Sequence, residues 1–305
     1  MPATEQTRTV EIQDFMRESD RVTLVEAARR EDMGPACRDL TSEAVVSSDR
    51  KGEARFNARE NGILAGAALL PVIARAYDTE LQIDRHLKDG QDIHAAENLA
   101  TVTGPMRSIL AVERVALNFL THLSGIATLA GQFVDAVRGT GAIIRDTRKT
   151  HPGLRAIEKY AVACGGAANH RMGLYDAILI KDNHLAHIEN LDLTDAIREV
   201  VVFHKDYVPK PRFVEIEVDN LDQLEIVLAC PVDIVLLDNM TLGQLRAAVA
   251  VRDRINSKVF LEASGGITME SARRIAQTGV DWISVGAITH SAPALDIGLD
   301  IETRR

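Results

Sequence analysis

Cysteine is scarce in this chain of 305 residues, and its three copies, Cys37, Cys164 and Cys230, lie far apart without a CxxC spacing. Such a set predicts neither a disulfide framework nor a zinc site, so we expect three small buried side chains. Glycine (20) and proline (9) are too few for a low-complexity or fibrous chain. With 46% hydrophobic and 26% charged residues, the composition is that of a globular protein with one large or two modest domains.

Long apolar runs are missing as well. The longest, residues 63–74, contains Gly66 and Pro71 and is shorter than the roughly 18 to 20 residues needed to cross a bilayer. The first 19 residues have no apolar stretch behind their scattered charges, so they predict neither a secretory signal nor a lipid attachment site. We therefore expect no membrane segment and a cytoplasmic location.

The net charge of −9 argues against nonspecific binding to nucleic acid, but the charge is unevenly distributed along the chain. Residues 145–184 contain seven basic and four acidic side chains, a net +3, which leaves −12 for the remainder. A cationic segment in an acidic protein is what a small polyanionic ligand requires, although solvated helix faces could give the same count.

The first part of the chain reads as a small α+β unit over residues 20–105. Apolar residues from Ile109 to Ile126 then recur at helical spacing and predict a long, largely buried helix.

After Gly139 the pattern changes to an alternation of strands and helices. Apolar, β-rich segments begin near Ala142, Ala177, Phe213, Val232, Val259 and Val280. Amphipathic helices are predicted over residues 153–163, 191–203, 221–228, 242–255 and 269–277. This alternation builds a parallel sheet, either open and doubly wound or closed into an α/β barrel. Polar residues follow nearly every strand, whereas an open sheet concentrates them at one crevice, so the barrel is favoured.

Acidic side chains mark two neighbouring strands. Glu215 and Glu217 share one face of the strand 213–218, and Asp238 ends the next strand, at the rim where Glu217 should emerge. Two rim carboxylates could bind Mg²⁺ or sugar hydroxyls. The alternatives are an internal ion pair with a lysine, as plausible as a functional role for Glu215, and a helix cap for Asp238, although Thr241 can serve as that cap.

Basic side chains follow two other strands. Arg148 and Lys149 come after the strand near Ala142, Lys181 comes after residues 177–180, and His170 and Arg171 lie between them. Taken together they suit a ligand with several carboxylate or phosphate groups. A Schiff-base lysine at position 181 is the open alternative.

Glycine-containing turns end the last two strands. Ser264, Gly265 and Gly266 precede a helix, and Gly286 follows the strand that begins near Val280. Backbone N–H groups at such turns bind phosphate in barrel enzymes, whereas tight-turn geometry is the simpler explanation for the glycines.

Several motifs in a fixed order resemble the quinolinate phosphoribosyltransferase family. They are Glu113-Arg114-Val-Ala-Leu-Asn118, Asp146-Thr-Arg-Lys-Thr-His-Pro-Gly153, Asn169-His-Arg-Met-Gly173, Lys181-Asp-Asn-His184, Leu237-Asp238-Asn239 and Glu262-Ala-Ser-Gly-Gly266. The resemblance spans nearly the whole chain, from Asp39 to Gly286.

This resemblance implies conversion of quinolinate and phosphoribosyl pyrophosphate, with Mg²⁺, to nicotinate mononucleotide, pyrophosphate and CO₂ in NAD biosynthesis. It implies an N-terminal α+β sandwich over residues 1–121, onto which residues 290–305 are expected to fold back, and an irregular α/β barrel over residues 122–289. It also implies a homodimer, or a higher homo-oligomer, in which Arg114 reaches the partner's site.

The resemblance also implies roles for individual residues. Around the quinolinate carboxylates it would place Arg148, His170, Arg171 and Lys181, and Thr147 is a further predicted substrate-binding residue. Lys149 would lie at the pyrophosphate end, Glu217 and Asp238 at the ribose hydroxyls and the metal, and Ser264, Gly265, Gly266 and Gly286 around phosphate. Lys149, Lys181, Glu217 and Asp238 are the predicted catalytic residues.

Three other functions remain open at this stage. A related phosphoribosyltransferase for another ring would share the phosphate half of the site but would release no CO₂. A barrel aldolase would use Lys181 as a Schiff base. An anion-binding protein without catalytic activity would bind phosphate and release no pyrophosphate.

Overall fold

The computed structural model describes residues 10–185, 193–206 and 208–301. The ends of the predicted domains at residues 1–9 and 302–305, and the predicted helix start at residues 191–192, lie outside the described residues. Within them the helices are α1 (Glu18–Met33), α2 (Leu40–Val45), α3 (Leu70–Tyr77), α4 (Met106–Ala136), α5 (Arg155–Cys164), α6 (Asp182–Leu185), α7 (Leu193–Asp206), α8 (Leu221–Leu228), α9 (Leu242–Ile255), α10 (Met269–Ala276) and α11 (Ala287–His290). The strands are β1 (Lys51–Ala58), β2 (Gly62–Ile63), β3 (Gln82–Arg85), β4 (Asp92–Ile93), β5 (Asn98–Pro105), β6 (Ile143–Arg145), β7 (Ile178–Ile180), β8 (Val214–Val218), β9 (Ile234–Asp238), β10 (Phe260–Ser264), β11 (Trp282–Ser284) and β12 (Ile297–Ile301).

The chain forms two compact units. The first takes in the chain up to Gly131, the segment Ala156–Gly166 and the chain from Ala292 onward, and the second consists of Gln132–Arg155 and Ala167–Ser291. The boundary predicted after residue 121 falls inside α4, which continues as one helix to Ala136.

The first unit is built on an antiparallel sheet with the strand order β12-β1-β5-β3. Alternate residues of β1, namely Ala54, Phe56 and Ala58, are fully buried, as expected for a sheet with one face on the core. The last strand, β12, pairs antiparallel with β1, with Phe56 opposite Leu299. The C-terminal segment therefore completes the N-terminal sheet.

Helix α4 buries the apolar residues that predicted it, including Ile109, Val112 and Leu123. By length and composition alone it could cross a bilayer, but 56% of its most apolar 18-residue stretch is buried inside the structure. The core helix of a folded protein meets the same criterion, so this helix is weak support for a membrane segment.

The second unit contains six parallel strands in the order β6-β11-β10-β9-β8-β7. The first strand of this unit in the chain lies beside the last, which is the cyclic order of a barrel and not the order of a doubly wound sheet. At the gap between β6 and β7, Arg145 forms a single parallel bridge with Ala168. The predicted irregular α/β barrel is confirmed.

One prediction about the cysteines is wrong. Cys164 and Cys230 are buried and free, but Cys37 is exposed. It follows the end of α1 in a turn and has a φ of 49°, a left-handed conformation that belongs to turns on the surface and not to a packed element.

We predict that Gly125→Ala in α4 destabilises the protein. Alanine is ordinarily the better helix residue by about 0.5 to 1 kcal/mol. At this position, however, a Cβ would lie 2.0 Å from the carbonyl oxygen of Pro293. Overpacking against backbone costs about 1 to 3 kcal/mol, so the net effect is a lower thermal unfolding midpoint.

The matched control is Gly141→Ala, because a Cβ there meets nothing within 4 Å. Calorimetric unfolding midpoints of both variants check the prediction. A Gly125→Ala midpoint equal to or above that of Gly141→Ala would contradict the packing described here.

Candidate active site

A cavity of about 790 Å³ lies at the carboxyl ends of the barrel strands. The strands are parallel and in register, with Asp238 of β9 opposite Ser264 of β10, so the residues at their ends meet at one rim. The cavity is lined by Thr147, Arg148, Lys149, His170, Arg171, Leu179, Lys181, Glu217, Leu236, Asp238, Asn239, Glu262, Ser264, Gly265, Gly266, Ile267, Thr268, Ser284, Gly286, Ala287 and His290.

With one exception, the site residues predicted from the sequence all line this cavity. The exception is Arg114, which lies on α4 in the first unit. Its side chain is 63% exposed, and its Nη2 atom lies 3.7 Å from Oε1 of Glu113.

The two rim carboxylates have different partners. Lys181 Nζ donates to Glu217 Oε2 at 2.5 Å, and this ion pair joins the residue after β7 to β8. Asp238 Oδ2 instead accepts a hydrogen bond from the side-chain amide of Asn239 at 2.6 Å. Thr241 provides the side-chain cap of α9, as predicted, so the cap leaves Asp238 free to face the cavity.

Glu215 lies deeper in the barrel than Glu217 and is fully buried. The predicted alternative of an ion pair with a lysine is wrong in its partner, because Glu215 Oε2 lies 3.0 Å from His170 Nε2. Burial and the neighbouring charge of Glu262 raise the pKa of Glu215. Within the described residues neither oxygen of Glu215 has a hydrogen bond of good geometry, so the contact with the imidazole is the main compensation for its burial.

Glu262 is the second fully buried acid, and it has three partners. Arg145 Nη1 donates to it at 2.6 Å, the hydroxyl of Ser284 donates to its other oxygen, and His170 Nε2 lies 3.5 Å away. Burial alone would raise the pKa of Glu262, but the hydrogen bonds and charges of His170 and Arg145 outweigh it and lower that pKa. The Arg145 guanidinium also lies over the ring of Trp282, 4.1 Å from its centroid.

Both ring nitrogens of His170 are engaged within the protein. Its Nδ1 atom accepts the backbone N–H of Arg171 at 2.6 Å, while Nε2 faces Glu215 and Glu262. The backbone N–H of His170 in turn donates to Asp146 at 2.8 Å. Burial opposes protonation of the imidazole, but the two glutamates outweigh it and raise the pKa of His170. With Nδ1 accepting, the proton of the imidazole lies on Nε2 and faces the two glutamates, so the residue affects the cavity through its position.

Two guanidinium groups, those of Arg148 and Arg171, line the cavity close to each other. Among the residues that the structure describes, neither Nε of Arg148 nor Nε of Arg171 has a hydrogen-bond partner, although both atoms are buried. Burial and the neighbouring charge of Arg148 lower the pKa of Arg171. Buried donors with like charges are stabilised by an anion, which would accept their hydrogen bonds and neutralise their repulsion.

The glycine turns allow the backbone to approach the cavity closely. Gly265 has a φ of 98° and Gly266 a φ of 57°, both in the left-handed region that favours glycine. At Gly286 a Cβ would lie 3.1 Å from Cδ of Lys149 and 3.2 Å from Nε2 of His290. These glycines therefore allow tight turns and also let the backbone lie close to the cavity.

Several lining residues were missed in the sequence, chief among them Glu262, Ser284, Asn239 and His290. Strand alternation could have found the first two, since Glu262 lies two residues before Ser264, and Ser284 two residues before Gly286. His290 lies four residues after Gly286, one turn along α11, so helical spacing would have indicated it.

The donor set of the cavity fits Mg²⁺. This ion binds to one or two carboxylates and completes its shell with water and substrate phosphate oxygens. Glu217 and Asp238 are the two carboxylates at the rim, and both face the cavity that also contains the glycine turns.

The fold and the cavity together define an α/β-barrel enzyme for a polyanionic substrate. The cavity brings together fixed cations, rim carboxylates and glycine turns, a combination that suits transfer of a phosphorylated group.

The chain belongs to the quinolinate phosphoribosyl transferase family. The profile of the N-terminal domain of that family matches residues 39–124, and the profile of its C-terminal domain matches residues 126–300. The chain is 43% identical over 265 residues to the nicotinate-nucleotide pyrophosphorylase (carboxylating) of Mycobacterium leprae, covering 86% of this chain and 91% of that protein. It is 38% identical over 295 residues to quinolinate phosphoribosyltransferase (decarboxylating) 1b of Nicotiana tabacum, covering 92% and 82%. The solved structure of the nicotinate-nucleotide pyrophosphorylase from Francisella tularensis superposes with a TM-score of 0.85 at 36% identity, covering 94% and 98%.

We predict that Arg145→Met destabilises the protein by about 3 to 5 kcal/mol, because it leaves the buried carboxylate of Glu262 without its cation. The matched control is Arg254→Met, which breaks the ion pair with Glu225 between side chains that are 65% and 51% exposed. That exposed pair is worth at most about 1 kcal/mol. Denaturant unfolding of both variants checks the difference.

The loss of stability caused by Arg145→Met depends on pH, and the direction of this dependence follows from the pKa of Glu262. In the wild type, Glu262 has a lowered pKa, so its contribution to stability is present above the unfolded value and is lost as pH falls through the folded value. Without Arg145, Glu262 takes up a proton at higher pH and loses its unpaired charge. The cost of Arg145→Met should therefore shrink between about pH 8 and about pH 5, and a constant or growing cost would contradict this account.

Proposed function

We propose that this protein transfers the phosphoribosyl group of phosphoribosyl pyrophosphate to quinolinate, with loss of CO₂, and forms nicotinate mononucleotide and pyrophosphate. Family membership and the names of relatives at 38 to 43% identity support this reaction. The single observation that carries it is the pair of buried, unpartnered guanidinium Nε atoms of Arg148 and Arg171 in a cavity that also contains carboxylates and glycine turns, within the described residues. Both substrates are polyanions, which such a cavity suits.

The quinolinate end of the site is assigned to the cations. Arg148 and Arg171 bind the ring carboxylates, with Thr147 and Lys181 beside them. His170 supports these cations through Arg171, whose backbone N–H it accepts, because its own nitrogens are engaged with protein groups.

The phosphoribosyl end is assigned to the opposite side of the cavity. Ser264, Gly265, Gly266 and Gly286 offer backbone N–H groups to the 5′-phosphate, and Lys149 faces the pyrophosphate. Glu217 and Asp238 face the ribose hydroxyls and would hold Mg²⁺. When bound, this ion supplies positive charge to the departing pyrophosphate.

The chemistry follows from this division of charge. As the bond between ribose C1 and pyrophosphate breaks, C1 gains oxocarbenium character, which the carboxylates of Glu217 and Asp238 stabilise. Lys149 stabilises the leaving anion, and the pyridine nitrogen attacks C1 from the side held by Arg148 and Arg171. Loss of CO₂ from the carbon beside the cationic ring nitrogen leaves the bonding electron pair on that carbon, and a proton from water then takes the place of the carboxylate and completes the product.

Assembly and location belong to the same proposal. The active form is a homodimer, or a larger homo-oligomer, in which the exposed Arg114 reaches the partner's cavity, and the protein acts in the cytoplasm without nucleic acid or membrane partners. The guanidinium of Arg114 is exposed and lies 3.7 Å from Glu113, which supports a role outside its own unit.

Two rivals make different predictions. A phosphoribosyltransferase for another ring would release pyrophosphate without CO₂. An aldolase would need the amine of Lys181 free to attack a carbonyl, but its Nζ atom is held by Glu217 Oε2 at 2.5 Å. Borohydride trapping of a substrate adduct would reveal the aldolase.

We predict that the purified chain, given quinolinate, phosphoribosyl pyrophosphate and Mg²⁺, releases pyrophosphate and CO₂ in equal amounts. Lys149→Ala and Glu217→Ala should each lower turnover by orders of magnitude, because they remove groups that stabilise developing charge. Coupled pyrophosphate detection and labelled CO₂ capture measure both products.

Lys258→Ala is the control for loss of a lysine, because Lys258 is exposed and is not among the residues that line the cavity. Near-normal turnover in both Lys149→Ala and Glu217→Ala would refute the assigned roles. Pyrophosphate release without CO₂ would support the rival transferase.

We also predict that Glu217→Gln binds quinolinate more tightly than the wild type in the absence of phosphoribosyl pyrophosphate. Lys181 pairs with Glu217 at 2.5 Å, so an arriving carboxylate must compete for that lysine. Neutralising Glu217 removes the competitor. Asp238→Asn is the matched comparison, because the partner of Asp238 is the neutral amide of Asn239.

Isothermal titration calorimetry with quinolinate alone measures this difference. We expect an affinity gain of about fivefold or more in Glu217→Gln and a smaller gain in Asp238→Asn. Equal or weaker binding by Glu217→Gln would show that the ion pair does not compete with the substrate.

A further inference from the structure

Asn239 lies where two parts of the cavity meet. It is the residue after β9, and its backbone N–H donates to the carbonyl of Ser264 at 3.0 Å, which extends the pairing of β9 with β10 by one residue. Its φ is 51°, in the left-handed region that asparagine tolerates better than most residues. The turn therefore fixes the direction in which the side chain of Asn239 leaves the backbone.

The amide of Asn239 holds one oxygen of Asp238. Nδ2 donates to Asp238 Oδ2 at 2.6 Å, and this donor carries no charge. The carboxylate therefore keeps its full negative charge, in contrast to Glu217, which is paired with the ammonium of Lys181. Asp238 is thus the rim carboxylate with the more available charge.

The same amide packs against the glycine turn. A Cβ at Gly265 would lie 2.1 Å from Oδ1 of Asn239, 2.5 Å from its Cγ and 3.0 Å from its backbone nitrogen. The space that a side chain at position 265 would fill is therefore occupied by Asn239. The carboxylate of Asp238 and the turn that begins at Ser264 are joined by this one side chain.

We propose that Asn239 is a positioning residue that fixes the Asp238 carboxylate and the Gly265 turn in one arrangement for the ribose and phosphate groups of phosphoribosyl pyrophosphate. The inference rests on the proposed function. It also explains why the neutral amide suits this place, since a charged neighbour would either neutralise Asp238 or repel it.

Two substitutions separate this role from a purely conformational one. Asn239→Gly adopts the left-handed turn without strain but removes the amide. Asn239→Asp keeps the shape and tolerates the turn, but it replaces the donor by a second carboxylate next to Asp238. If only the turn matters, both variants behave like the wild type.

The kinetic test measures kcat and the separate KM values for both substrates at several Mg²⁺ concentrations. We expect kcat/KM for phosphoribosyl pyrophosphate to fall by about tenfold to a hundredfold in both variants, as for loss of a hydrogen bond to a charged group. Quinolinate binding measured alone should stay unchanged, because within the described residues neither Asn239 nor Asp238 forms an ion pair with Arg148, Arg171 or Lys181.

The difference between the two substrates gives a readout that a purely structural role would not change. The loss should appear in kcat/KM for phosphoribosyl pyrophosphate while the affinity for quinolinate keeps its wild-type value, whereas a general disruption of the barrel would weaken both. Asn239→Gly and Asn239→Asp should lose activity together, because each lacks the amide donor to Asp238.

Asn220→Asp is the matched control for the added charge. Asn220 follows the neighbouring strand β8 and caps α8 by accepting from Gln223 N at 2.9 Å, a role that aspartate also fills. It is not among the cavity-lining residues, so its kinetics should match the wild type.

The outcomes separate the inference from the function on which it rests. Calorimetric binding of phosphoribosyl pyrophosphate with Mg²⁺ is measured alongside turnover. Wild-type binding and turnover with unchanged Asn239→Gly and Asn239→Asp would overturn the positioning role alone. A wild type that neither binds phosphoribosyl pyrophosphate nor turns over would refute the proposed function and this inference with it.

Discussion

Buried charge needs a partner of opposite sign, and in the interior of this barrel the fully buried Glu262 meets that need through Arg145. Glu262 is bound by Arg145 and Ser284, and His170 lies between Glu262 and Glu215. Each of these groups would be costly to bury alone. If one of them moved, its partner would be left buried without a compensating contact. The floor of the cavity is therefore fixed before any ligand arrives.

This fixed floor also determines where the cations of the cavity wall lie. The imidazole of His170 accepts the backbone N–H of Arg171, whose guanidinium Nη1 atom donates to the carbonyl of Ala177 at 3.1 Å. Arg171 and Arg148 are thus held close together despite their like charge, with the pKa of Arg171 lowered by burial and by its neighbour. A site preorganised in this way needs little rearrangement to bind an anion, so more of the electrostatic attraction appears as affinity.

The sequence was sufficient to predict the elements and the rim, because both depend on local patterns. The helices Leu221–Leu228 and Leu242–Ile255 have the predicted bounds, and acids and bases at strand ends meet because parallel strands end at one rim. Partners across the barrel could not be predicted in the same way. Arg145 and Glu262 lie 117 residues apart, and nothing in the local pattern of either strand selects the other.

The environment of Asn239 shows a second limit of the sequence. The motif that contains Asn239 is visible in the sequence. The contact of Asn239 with Asp238 and Gly265, however, depends on a left-handed backbone and on the space above Gly265, which are set by the pairing of β9 with β10. Residue type alone fits an ordinary turn equally well. Only tertiary packing distinguishes a turn residue from one that holds a carboxylate in place.

The two rim carboxylates finally differ in what a ligand must do to reach them. Asp238 accepts from a neutral amide, so a cation or a hydroxyl can approach it without displacing a charged group. Glu217 is already bound to Lys181, and a ligand that needs either residue must first separate the ion pair. Separating this ion pair costs free energy and therefore weakens the binding of the first substrate. The pair is then already separated when the second substrate binds. A second substrate that needs the released partner then binds with more of its full interaction energy, so the ion pair couples the two ends of the cavity.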